Sequence, residues 1–123
     1  MKRLTTIGRI LFALPFGILG INHFIMKEFY IMMVTSFIPS MGFSIFLVGL
    51  ALIAASISIM MNKMVKVSCW TLASLLIIFI LFIHIPNLFD PATRTIAVIE
   101  LMKDTALLGG SLMIAGMTQE AKE

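Results

Sequence analysis

Residues 41–61 contain no ionisable side chain. A helix over such a run is roughly 30 Å long, which is the thickness of the hydrocarbon core of a bilayer. Only lipid, or the centre of a large protein, can surround a helix that apolar on every side, and a chain of 123 residues has no such centre. The remainder agrees: 60% of the residues are hydrophobic, 12% are charged and the mean hydropathy is +1.09. The expected class is therefore an all-α integral membrane protein, with room for four spans and none for a soluble catalytic domain.

Spans are predicted at about 7–25, 41–61, 67–85 and 95–117, together forming a single four-helix bundle domain over residues 1–123. Lys2, Arg3 and Arg9 give the first span a leader-like start. It runs on to Ile25 through Pro15 and Gly17 without a small-x-small cleavage site, and is read as a retained span. Ala13, Gly17 and Gly20 make a flat strip on it, and Ala51 with Ala55 repeats the device on the second span. Between these spans, residues 26–40 carry Lys27 and Glu28 and end at Pro39-Ser40. They are read as a helix lying in the interface, with Phe29, Tyr30 and Phe37 at headgroup depth. Trp70 anchors the start of the third span, and Asp90-Pro91 predicts the start of the last helix.

Four spans bring both termini to one side. Lys2, Arg3, Arg9, Lys63, Lys66 and Lys122 then share that side, against Lys27 and Arg94 on the other, which predicts cytoplasmic N- and C-termini. The net charge of +3 is thus a topology signal, and no basic stripe interleaved with aromatics exists to track a nucleic acid. Cys69 is the single cysteine, so intrachain disulfides, thiol relays and cysteine metal clusters are not expected.

In this topology the polar residues gather toward one leaflet. Asn22 and His23 end the first span, His84 and Asn87 end the third, and Glu100, Lys103 and Asp104 lie early on the fourth. Spacing of i, i+3 and i+4 gives the last three one helix face, continued by Ser111. Glu100 and Lys103 can form a plain helix ion pair. Charge inside a span is costly, however, and Lys103 with Asp104 is weighed toward function. Ala106, Gly109, Gly110 and Gly116 are read as packing positions, and the Met residues as lipid-facing or core filler. Such a pocket could bind a quinone headgroup, ligate haem or a metal through His23 and His84, or recognise a partner helix or lipid headgroup. The second is the weakest, there being no CxxCH attachment site, and no metal is assigned.

Three motifs then support a resemblance: Gly20-Ile21-Asn22-His23-Phe24, Phe82-Ile83-His84-Ile85-Pro86-Asn87, and Lys103-Asp104 leading into the small-residue run 105–115. Together, in this order and at these span ends, they resemble the DoxX family of small four-helix prokaryotic membrane proteins, over nearly the whole chain. That family is named for its link to the membrane subunit of thiosulfate:quinone oxidoreductase. Many members carry an acidic residue in the second helix, where Phe46-Leu47-Val48-Gly49 has none.

The resemblance implies a prokaryotic inner-membrane location and matches the family's recurring polar positions to His23, His84, Asn87, Lys103 and Asp104. The expected function is a quinone-linked redox subunit in the bilayer, working with an electron-supplying partner, and a homo-oligomer is among the expected assemblies. Lys103 and Asp104 would carry the chemistry, the one stabilising charge and the other handling protons. Asn22, His23, His84, Asn87 and Glu100 would bind the cofactor. A non-enzymatic scaffold or cargo adaptor using the same notch is the alternative, and a transporter the third reading.

Overall fold

The computed structural model describes residues 2–33 and 41–118, and every regular element in them is helical. Helix α1 spans Lys2–Ile25, α2 Lys27–Met33, α3 Met41–Met60 and α4 Val65–Phe79. A π-helical turn at Ile80–His84 and the short α5 at Ile85–Asn87 continue α4, and α6 spans Arg94–Met117. Phe37 and the rest of 34–40 lie outside the described residues.

Among the described residues, three helices are long and apolar enough to cross a membrane: Lys2–Ile25, Gly42–Met60 and Val65–Asn87. These mark a multi-pass membrane protein. The outward surface has the matching character, with Leu4, Leu11, Phe43, Leu47 and Ile78 exposed where a water-soluble bundle places polar groups. Helix α6 is long enough as well, but carries Arg94, Glu100, Lys103 and Asp104 in its first half.

The long helices pack antiparallel around one core. Ala13 and Phe16 of α1, Leu52, Ala55 and Ile59 of α3, Val65, Cys69, Leu72 and Leu76 of α4, and Ala115 of α6 fill it. Helices α1 and α3 approach backbone to backbone: a Cβ added at Gly20 would lie 2.8 Å from the Gly49 carbonyl oxygen, and one at Gly17 would lie 2.7 Å from Ser56 Oγ. The flat strip of α1 thus meets Gly49 and Ser56, while the small pair Ala51 and Ala55 lines a groove against α4, with Ala55 also in the core. Buried Ser56 donates to the Ala13 carbonyl at 2.7 Å, and buried Ser111 of α6 to the Cys69 carbonyl at 2.6 Å. Each hydroxyl finds a partner on the neighbouring helix where lipid offers none. On α6 only Gly110 meets a neighbour, the Phe12 ring at 3.3 Å from an added Cβ. Gly109 and Gly116 face open space.

The end of α3 is closed by a reversed turn. Lys63 N–H reaches back to Ser58 O, Asn62 N–H to Ile59 O, and Asn62 adopts φ 59°. This is the usual close of a helix on a left-handed residue, with Asn in place of Gly. Arg9 completes it, its Nη1 donating to the Ile59 carbonyl at 2.6 Å and the Met60 carbonyl at 3.2 Å. A cation at a helix C-terminus satisfies leftover carbonyls and opposes the helix dipole.

Candidate functional site

At the other end, the third span departs from α geometry over Ile80–His84, just ahead of Pro86. Proline has no N–H to offer the Phe82 carbonyl and its ring crowds that oxygen, so the α ladder cannot run through it unchanged. The ladder widens instead, and Ile85 N–H bonds to Ile80 O, five residues back. The core stripe of this span runs Cys69, Leu72, Leu76, and an unbroken α-helix would bring Ile83 next into line, seven residues after Leu76. The widened turn puts His84 there: His84 is 7% exposed and Ile83 is half-buried.

Across from it, α6 presents a buried stripe of Ala97, Asp104 and Ser111, one residue every two turns. Small residues on both sides let His84 and Asp104 meet, with Nε2 to Oδ2 at 2.7 Å and the side chains 9% and 6% exposed. Lys103, next in sequence to Asp104, turns away from it. Its Nζ donates to Glu100 Oε2 at 2.7 Å on the helix surface, the two side chains 45% and 31% exposed. Glu100 faces both ways, since ligand atoms of His84, Glu100 and Asp104 all lie within 4.8 Å of one another.

His23 ends α1 and is also buried, but makes different contacts. Its Nδ1 donates to the Leu19 carbonyl at 2.6 Å, and its ring stacks on Tyr30 of α2 with centroids 4.0 Å apart. A carbonyl can only accept, so Nδ1 carries the hydrogen and Nε2 of the neutral ring is an acceptor. Tyr30 in turn lies close enough to Lys103 and Glu100 to feel both charges. Asn22 is half-buried at the end of α1. The Asn87 carbonyl takes the Thr93 hydroxyl at 2.8 Å, which with Arg94 Nε on the Leu88 carbonyl fixes the loop into α6. Asp90 Oδ1 accepts from Ala92 N–H in that loop, so Asp90-Pro91 makes a turn ahead of the helix, and α6 begins at Arg94.

Of the residues singled out from sequence, the structure brings His84, Asp104, Glu100 and Lys103 into one corner. His23 sits beside them through Tyr30. Tyr30, placed by sequence as a headgroup anchor, is the residue that reading omitted from the site. Spacing gave no signal for it: seven residues along one continuous helix would set the two side chains roughly 10 Å apart, and the rings stack because the chain breaks between α1 and α2.

Tyr30 is the only tyrosine, so its ionisation can be read directly by absorbance. Burial pushes its phenol above the ordinary value, with Lys103 pulling it down and Glu100 pushing it up in smaller measure. Lys103→Met is therefore expected to move the phenolate transition to higher pH and Glu100→Gln to lower pH, followed at 295 nm in detergent. Identical transitions in both variants and wild type would place Tyr30 away from this pair.

The described cavities lie elsewhere: one of about 230 Å³ lies between α3 and α4 along Ala51, Ala55, Ser58, Val67 and Thr71, and a larger, more open one of about 400 Å³ lies at the start of α1 beside Lys2, Arg3, Thr6 and Ile7. Comparison with protein families, with curated sequences and with solved structures gives no match.

Proposed function

We propose that this chain is a DoxX-like, quinone-linked redox subunit of a prokaryotic inner membrane, with α6 as a fourth span and α2 lying in the outer interface. The observation that carries the reading is the buried His84–Asp104 hydrogen bond beside the half-exposed Glu100–Lys103 pair. In a span, a titratable pair held away from lipid is the usual mark of a proton or substrate path. The charges of α6 are compatible with a crossing, because Asp104 faces the bundle and Lys103 and Glu100 neutralise each other. Arg9 lies at the same end of the bundle as Lys63 and Lys66, with Lys27 and Arg94 at the other, which supports cytoplasmic termini.

The bonds already made support a division of roles. Lys103 and the Tyr30 hydroxyl are the donors for a quinone carbonyl, and the ammonium favours the negative charge that reduction puts on that oxygen. His23 Nε2, an acceptor, suits the hydroxyl of the reduced form. Two electrons from a partner protein's redox centre and two protons convert quinone to quinol. His84 and Asp104 hold a proton at 2.7 Å behind this surface, and Glu100 connects them to the aqueous side.

The test is mass spectrometry of lipids extracted from the protein purified in mild detergent. About one quinone per chain is expected in wild type, and its loss from His84→Ala and Asp104→Asn, the second of which keeps the side-chain shape. A protein that carries no quinone, or variants that retain it fully, would overturn the reading and favour the adaptor, which is then sought as a co-purifying protein lost in Lys103→Met/Asp104→Leu.

A further inference from the structure

The geometry points to a transition-metal dication site formed by His84, Glu100 and Asp104, an inference that stands whether or not the corner binds a quinone. Glu100 and Asp104 are one turn apart on α6 and present two carboxylates on one face, while the π-helical turn delivers an imidazole from across the bundle. Their ligand atoms lie within 4.8 Å of one another. An ion bound at roughly 2.0–2.2 Å from each would hold them roughly 3–3.5 Å apart. The pair His84 and Asp104 already stands closer than that, at 2.7 Å, so the required contraction falls on Glu100. Glu100 has the longer stem of the two carboxylates and the greatest exposure of the three residues, which also gives an ion its way in.

Charge and donor type define the ion. Two carboxylates balance a dication, and an imidazole among them favours manganese, iron, cobalt or zinc over magnesium or calcium. Positive charge is accommodated here independently of any metal: the Lys103 ammonium sits on Glu100 Oε2 at 2.7 Å. Lys103 is therefore a competitor for the carboxylate that the ion needs. Metal binding releases it toward solvent, where its side chain is already 45% exposed. His23 lies outside the set, held by Leu19 and Tyr30.

The competition gives the test its sign. Full-length protein in detergent, stripped with chelator, is titrated with Co²⁺ and followed by its visible absorption. One saturable equivalent is expected in wild type and none in His84→Ala. Glu100→Gln, which leaves the His84–Asp104 bond standing, is expected to weaken Co²⁺ at least tenfold, and Lys103→Met to tighten it severalfold. A wild type without a saturable band overturns the inference, as does unchanged affinity in either Glu100→Gln or Lys103→Met. The quinone reading fails separately, because it requires Lys103→Met to weaken quinone retention. Co²⁺ binding by a quinone-free protein, or quinone in a Co²⁺-silent one, therefore tells the two apart.

Discussion

Asp104→Ala is expected to lower the stability of the folded protein by about 3 kcal/mol, the largest effect of any single truncation at this corner. Asp104 is 4% exposed and its carboxylate holds a ring nitrogen of His84, itself 7% exposed, so its removal leaves His84 with a buried polar atom that has lost its partner. Cavity formation adds little, since the side chain is small. His84→Leu, which leaves the buried carboxyl group of Asp104 without this partner, is expected to cost a similar amount, and the double change His84→Leu/Asp104→Leu less than either, because it removes both polar partners and fills the space with apolar atoms. Unfolding midpoints in mixed detergent and denaturant, combined as a double-mutant cycle, measure the coupling. Near-neutral Asp104→Ala, or strict additivity across the cycle, would show that the two side chains do not depend on each other.

The second large effect is expected at Gly20→Ala. A single methyl group there would stand 2.8 Å from the Gly49 carbonyl oxygen and 3.0 Å from the Ile53 amide nitrogen. Backbone atoms of a packed helix cannot swing aside as a side chain can, so α1 and α3 must separate along their shared strip. Overpacking of this kind costs about 1–3 kcal/mol. The strain also reaches the site, because Gly49 lies against the His23 Cβ. Gly109→Ala, with nothing within 4 Å of the added carbon, serves as the control and is expected to be neutral or mildly stabilising through better helix propensity. Equal losses in the two variants would mean that α1 and α3 are not in close contact at Gly20.

The contrast between these glycines marks where the sequence can be read. The Ala13, Gly17, Gly20 strip follows from spacing alone, and it packs as a strip should. Its partner was harder to name. Ala51 and Ala55 have the right spacing, but Gly49 and Ser56 face α1, and the rotation of α3 that decides this depends on all its neighbours at once. Gly109 and Gly116 look like packing residues by composition, yet the structure turns them outward.

At the corner itself, Asp104 was legible as an inward position through Ala97 and Ser111, two turns away on each side. Its pairing with His84 was not. An α-helix read straight through residues 65–87 puts Ile83 in line with Leu76 and turns His84 aside by about 100°. Pro86 was the clue to the change of ladder, but a proline announces only that a bond is missing, and not whether the helix answers with a kink, a break or a wider turn. Lys103 and Asp104, adjacent in sequence and read together, divide between the surface of the bundle and its core because neighbours on a helix point in different directions.

The bond from Arg9 to the end of α3 has a bearing on how the chain is made. It joins residues 50 positions apart, so at ribosomal speeds of about 5–20 residues per second it cannot form until several seconds after Arg9 itself has been synthesised. During that interval the guanidinium has no carbonyl to cap and acts only as a positive charge beside a nascent span. The same side chain thus serves twice in the life of one molecule, first as a charge beside a nascent helix and later as the clasp by which a helix made afterwards holds it.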